Sequence, residues 1–285
     1  MGIKKSILIA LVFVAVIAMV AFLMKPASAT PLTLPNPNGY DEIIKAVQLT
    51  PAQTSKVGDE FQRAGEPVLK LAHEALQKEC MISDPHALAS TNSAHTDNLL
   101  GIHYLAQSFV VRGTAAHAEH RNHDATMDCL DAIRLGAKGL RGGVMFDRMM
   151  GTGCEKIGAQ ALKRMLPTLS APECSEVLAA LEEIEQERES IETTLANERE
   201  FIVHSATLLQ QLGALLMFKS QQQVVKKFRI TTEAVISSER QLMLDCAGRM
   251  FELEKSRKPT SAQELVPTYL KMIPQDATTQ TNLTL

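Results

Sequence analysis

Apolar residues recur along most of this chain at three- and four-residue spacing, and no stretch alternates convincingly with period two. Leu99, Ile102, Ala106, Phe109, Val110 and Gly113 fall on one helical face. Ala125, Cys129, Ala132, Ile133 and Gly136 line the face of the next. The polar run "HAEHRNHD" separates them, so the spacing predicts a helical hairpin over about 97–136, with Asp97 as its opening cap. A further helix is predicted from Gly139 to Met165, ended by Pro167. Ser170 and Glu173 have capping-box spacing, with Pro172 in the first turn. The stripe Val177, Leu181, Ile184, Ile191, Leu195 then runs on through Arg188, predicting one long helix with a solvated acidic face. Another helix, near Thr232 to Lys255, carries Val235, Leu242, Cys246 and Met250. The expected fold class is all-α: a bundle or short solenoid of helical hairpins.

The ends differ from this body. An uncharged apolar run from Ile7 to Met24 follows Lys4 and Lys5, and eighteen helical residues nearly span a hydrocarbon layer about 30 Å thick. Residues 7–24 are therefore expected to anchor the chain in the cytoplasmic membrane as a single pass, with the lysines inside and the body exported. The alternative is a signal peptide cleaved after Ala29, since Ala27-Ser28-Ala29 fits the small-x-small rule. The expected organisation is an anchor or signal at 1–25, a turn-rich spacer at 26–40, a helical body at 41–256 and a short helix with tail at 257–285. Within the body, Asp41 is expected to cap a short helix, Thr50-Pro51 to start another, and Gly65-Glu66-Pro67 to break the pattern before "VLKLAHEALQKEC". In the tail, Ser261 and Glu264 are placed for a capping box in a helix stopped at Pro267, and "TTQTNLTL" is expected to fray.

Composition agrees with helix: the 285 residues are 45% hydrophobic but only 4% aromatic, and tryptophan is absent. The net charge is −3, and leaving out residues 1–25, which hold three lysines and no acid, lowers it to −6. A nucleic-acid partner would need a basic stripe, and none is present. Five cysteines, Cys80, Cys129, Cys154, Cys174 and Cys246, cannot all pair within one chain, and no C-x-x-C occurs. The spacing does not say which two would join.

Two motifs raise chemistry. The stretch "DAIRLGAKGLRGGVMFDRMMGTG" has six glycines, yet it lacks G-K-[ST] and follows a helical rather than a strand pattern. Its expected role is structural: Gly136 as a left-handed helix cap, Gly139 and Gly143 as the surface of a close helix contact, and Arg134, Arg141, Asp147 and Arg148 in ion pairs around it. His117, His120 and His123, beside Asp124, hold imidazoles at spacings that would bind zinc, copper or nickel if a bend brought them together; otherwise they make a polar turn. No G-x-S-x-G or H-E-x-x-H occurs, so neither catalytic residues nor a cofactor are assigned.

Three resemblances follow from these segments. "RNHDATMDCLDAIRLG", with Ala125, Leu130, Ala132, Ile133 and Leu135, resembles the second helix of a tetratricopeptide repeat, which implies a hairpin that binds partner proteins. The ordered set "LPNPNGYDEI", "DAIRLG…RGG…DR…G" and "LVPTYLKMIPQD" resembles a family of single-pass, helix-rich exported proteins of planctomycete bacteria, which implies an exported helical body. "ELVPTYLKMIPQD" is also similar to the C-terminal region of type II secretion pseudopilins, although Ala277 stands where those proteins have proline and their N-terminal processing signature is missing. The expected function is a membrane-anchored envelope scaffold that binds a protein partner. The alternatives are a metal-binding or enzymatic envelope protein using His117, His120 and His123, or a pseudopilin-like secretion component.

Overall fold

The computed structural model describes residues 33–50, 64–83, 93–205 and 218–285. The expected anchor at 7–24, the cleavage site at Ala27–Ala29 and the helix start at Pro51 lie outside these residues. Among the described residues no helix is long and apolar enough to cross a membrane. They form eight α-helices: α1 (Gly39–Leu49), α2 (Glu66–Leu76), α3 (Ser93–Ala118), α4 (Asn122–Ala137), α5 (Met145–Met165), α6 (Ala171–Glu187), α7 (Ile191–Ser205) and α8 (Phe218–Lys255). The described residues contain no strand, only an isolated bridge between Gln275 and Asn282. The fold is an all-α helical bundle.

Helix α4 is its axis. From Ala125 to Ala137 every residue except Met127 is buried, as expected of a helix enclosed on all sides. Ala132 and Leu135 join a core with Ile43 of α1, Leu69 and Leu76 of α2, and Leu99, Ile102, Leu105 and Phe109 of α3. On the opposite side Cys129, Leu130 and Ile133 join a second core with Leu162 of α5, Val177 and Leu181 of α6, and Leu242 and Leu244 of α8. The predicted 97–136 hairpin is present as α3 and α4, closed by residues 119–121 with His120 at φ 61°.

The close helix contact exists, but through different glycines. α4 continues through Gly136 to Ala137, so Gly136 is not a left-handed cap, and residues 138–144 form a turn containing Gly139, Gly142 (φ 78°) and Gly143. α5 begins only at Met145 because Val144 is extended and its N–H donates to the Asp147 carboxylate at 2.8 Å. The contact itself is between Gly136 of α4 and Gly151 of α5. A Cβ on Gly151 would lie 2.6 Å from the Gly136 carbonyl oxygen, and one on Gly158, two turns on, 2.6 Å from that of Cys129.

Other boundaries shift for local reasons. α3 starts at Ser93, so Asp97 lies inside it and is not its cap. Asn38, rather than Asp41, caps α1: its Oδ1 accepts from Tyr40 N–H while also accepting from Met81 N–H, and its Nδ2 donates to the Met81 carbonyl. The Ser170–Glu173 capping box is present, Glu173 accepting the Ser170 N–H at 2.7 Å. The helix it opens stops at Glu187, however, so the predicted long helix through Arg188 is two helices, α6 and α7. The longest helix is α8, with 38 residues. Beyond it, Ala262–Leu265 is a 3-10 turn whose Glu264 takes Thr260 N–H (2.9 Å) and Arg257 (2.6 Å) instead of boxing with Ser261. The tail is not frayed: Asp276 N–H donates to Thr281 and Leu283 N–H to Pro274, and Leu283 packs on the second core.

The α4–α5 crossing yields a paired test. Gly151→Ala is expected to lower stability by about 1–3 kcal/mol through overpacking against backbone. Gly153→Ala, whose Cβ would meet only the His103 ring at 3.5 Å, is expected to be neutral or stabilising by up to about 1 kcal/mol. Urea midpoints of the two variants would be compared with the parent protein.

Candidate functional site

Three charged residues of the enclosed helix α4 need an outlet, and they share it. Asp128, Asp131 and Arg134 follow one another at three-residue spacing, so they lie on one side of the helix. Asp128 receives Arg112 of α3 bidentately, Nε at 2.9 Å and Nη2 at 2.5 Å, while Arg112 Nη1 reaches Glu66 of α2 at 2.8 Å. Asp131 holds His73 of α2 through its Nδ1 at 2.6 Å and accepts Arg134 Nη1 at 3.1 Å. Glu66, His73, Arg112, Asp128 and Asp131, with Lys70, Arg121, Asp124 and Met127, line a polar cleft of about 590 Å³ between α2 and the α3–α4 hairpin. Burial raises the Asp128 carboxyl above its ordinary range against the pull of Arg112. The hydrogen bond that His73 gives to the Asp131 carboxylate raises its imidazole, against burial and the nearby arginines.

Chemically the cleft is a set of mutually paired charges with one titratable base, His73, half-exposed at its wall. A His–Asp pair can hold or pass a proton, but the lining contains no serine, threonine or cysteine to activate. Both carboxylate oxygens of Asp128 and of Asp131 are already engaged.

The histidines singled out by the sequence lie at the turn of the same hairpin. His117 Nδ1 bonds Asn122 Oδ1 at 2.9 Å, and His123 Nδ1 bonds Glu176 of α6 at 3.0 Å. His120 is exposed in the turn. Among the described residues no group of three histidine, cysteine or acidic side chains is placed to hold a metal ion. The glycine turn is occupied by the chain's own carboxylates: Gly142 N–H donates to Glu189 at 3.1 Å and Met145 N–H, in the first turn of α5, to Glu198 at 2.9 Å. Three of the four charges expected in ion pairs around the glycines are paired, each with a different partner, and Arg148 also donates to the Gly136 carbonyl at 3.2 Å. Asp147 pairs with His95 at 2.6 Å, Arg134 with Asp131, and Arg148 with Glu155.

The densest buried charges form a closed network. Glu155 of α5 accepts from Arg148 and from Arg188, and Arg188 also donates to Glu239 of α8. All four side chains are at most 7% exposed. Burial opposes ionisation of Glu155, but Arg148 and Arg188 hold its carboxyl below the ordinary range. Burial and the neighbouring Glu155 push Glu239 up to about 8, against those arginines. With no opening to solvent, the network joins helices and offers no ligand site.

A second concavity among the described residues is a groove of about 940 Å³ between α6, α8 and the C-terminal segment. Met243, Val266, Leu270, Met272 and Ile273 supply its apolar surface, and Met272 is 74% exposed. Gln186, Gln263, Gln275, Gln280 and Asn282 bring amides to it. Two ion pairs brace its walls, Arg240–Glu185 at 2.5 Å and Lys271–Glu182 at 2.6 Å.

Comparison with protein-family models, curated proteins and solved structures gave no significant match.

Sequence reasoning missed His73 and its partners because residues 73 and 131 meet only through packing of α2 on α4. The buried network did leave a trace: Arg188 occupies a position where the apolar stripe calls for a hydrophobe.

Two measurements follow. In a histidine NMR titration, His73 is expected to titrate above its ordinary value of 6.5 and to fall back in Asp131→Asn. For the buried network, Arg188→Ala is expected to destabilise by about 3–5 kcal/mol, since it strands buried carboxylates. Because Glu239 is raised in the fold from 4.5 to about 8, its contribution is full below pH 4.5 and lost as pH rises towards 8. Glu239→Gln is expected to flatten that decline in urea midpoints measured across the same window.

Proposed function

We propose that this protein is a non-enzymatic helical scaffold that holds a protein partner at the cell envelope. The observation that carries this reading is the groove between α6, α8 and the C-terminal segment, where apolar side chains and side-chain amides lie side by side. An extended peptide presents the same combination: apolar side chains and a backbone needing hydrogen-bond partners. The wall ion pairs fix the groove's shape before a partner arrives, which lowers the ordering cost of binding. The α3–α4 hairpin, which resembles a tetratricopeptide unit, contributes the body against which α6 and α8 are held. Anchoring through residues 7–24 and membership of the planctomycete-type exported family belong to the same proposal and give the scaffold its location. An all-helical body supports a scaffold better than a pseudopilin-like component.

Affinity capture from detergent-solubilised membranes tests the reading. A partner retained by the full chain is expected to bind roughly tenfold more weakly to Met272→Glu. A partner set unchanged by that substitution would remove the groove as its seat. Fractionation that recovers the protein solely from the soluble fraction would remove the anchor. One equivalent of zinc bound by the parent and lost in His120→Ala would favour the metal-binding alternative on His117, His120 and His123.

A further inference from the structure

All five cysteines are buried and free. One of them, Cys154 of α5, faces an imidazole of the neighbouring helix: its Sγ lies 3.8 Å from His103 Nδ1 of α3. The adjacent Gly153 makes this approach possible. A Cβ there would sit 3.5 Å from both Nδ1 and Cε1 of the His103 ring, so a longer side chain would stand where the ring lies. At its other nitrogen, His103 Nε2 meets the side-chain amide of Gln107, one turn later on α3, at 3.2 Å. An amide offering its oxygen to Nε2–H leaves the Nδ1 lone pair directed at Cys154. Met150 stands one turn before Cys154 on the same face of α5 and packs, partly buried, on the core to which Cys154 belongs.

We infer that Cys154, His103 and Met150 form a binding site for copper(I), held between α3 and α5 by a thiolate, an imidazole and a thioether. The first argument is distance. Bonds of about 2.3 Å to sulfur and about 2.0 Å to nitrogen span the observed 3.8 Å when they meet the ion at about 125°. That is close to the trigonal angle, whereas a tetrahedral ion would draw the two atoms to about 3.5 Å. The second argument is softness. Thiolate and thioether sulfur select copper(I) and imidazole suits copper as well, while magnesium, calcium and manganese favour oxygen. Zinc favours four nitrogen, sulfur or carboxylate ligands, and among the described residues no three histidine, cysteine or acidic side chains are placed to hold an ion. The third argument is orientation: Gln107 fixes the ring through its second nitrogen, as the outer partner of a metal-bound histidine does.

The ion has a way in. His103, Gly153 and Met150 are half-buried and the neighbouring Met149 is 50% exposed, so the imidazole and thioether are approached from the α3–α5 surface. Cys154 is fully buried and is the innermost ligand. Binding replaces the thiol proton: copper(I) and Cys154–SH give the copper thiolate and one proton released to solvent, with no change of oxidation state. The proposal stands apart from the scaffold reading, because the site lies on α3 and α5 and the groove on α6, α8 and the C-terminal segment.

The test titrates the full chain, reduced and kept free of oxygen, against copper(I) buffered by bathocuproine disulfonate. X-ray absorption then reads the loaded protein. Expected are one equivalent bound and a copper shell of one nitrogen and two sulfurs. His103→Leu and Cys154→Ala are each expected to weaken binding by roughly 100-fold, and Gln107→Leu, which removes a positioning residue, by about tenfold. Met150→Leu conserves volume and is expected to leave a shell with one sulfur. Cys80→Ala is expected to bind as the parent does, with circular dichroism checking that each variant is folded. No bound equivalent, a shell of sulfur alone, binding unchanged in His103→Leu, or preference for zinc over copper(I) in competition would each overturn the proposal. The parent's stoichiometry and copper shell decide it even if Cys154→Ala fails to fold.

Discussion

Glu155 is a carboxylate closed off from water, and the junction of α4, α5, α6 and α8 is built around that fact. A buried charge without partners is too unfavourable to persist, so the surrounding chain has to bring cations to it. Arg148 comes from two turns earlier on the same helix, and Arg188 from the end of α6. Arg188 then takes Glu239 on α8, so one connected set of charges joins helices far apart in sequence. Gly136 is part of the same arrangement: a Cβ there would lie 2.7 Å from Glu155 Cγ, and its carbonyl, near the C-terminal end of α4, accepts Arg148 at 3.2 Å. Close approach of α4 to α5, interruption of the α6–α7 stripe and docking of α8 are one constraint seen from three sides.

That constraint also governs where the chain's charges and backbone N–H groups are used. The network consumes its arginines and carboxylates internally, and the glycine turn consumes its backbone N–H groups on Glu189 and Glu198. The cleft at His73 likewise pairs nearly all its charges within the lining. Along α6 and α8 the C-terminal segment folds back and leaves apolar side chains beside side-chain amides.

Some of the candidate site was legible in the chain and some was not. The α3–α4 hairpin followed from periodicity, because burial of one face repeats every three to four residues. Arg188 stood out as a charge in an apolar slot, although periodicity alone reads it as a helix interior position. The His73–Asp131 pair left no such sign, since each residue taken singly is an ordinary polar position. The histidines at 117, 120 and 123 are close in sequence, but two of them bond to other side chains, Asn122 and Glu176. Nearness along the chain does not make a common centre.

The sequence by itself determined the all-α class, the hairpin over 97–136, the Ser170–Glu173 helix start and the structural rather than nucleotide-binding character of the glycine stretch. These depend on local periodicity, caps and the absence of a required residue, all of which act within a few turns. Only the tertiary structure decided which glycines make the crossing, where α6 ends and that the tail docks on the core. Each of those depends on what another element places opposite, and a carboxylate on α5 is not visible from the neighbourhood of its partner Arg188 in sequence.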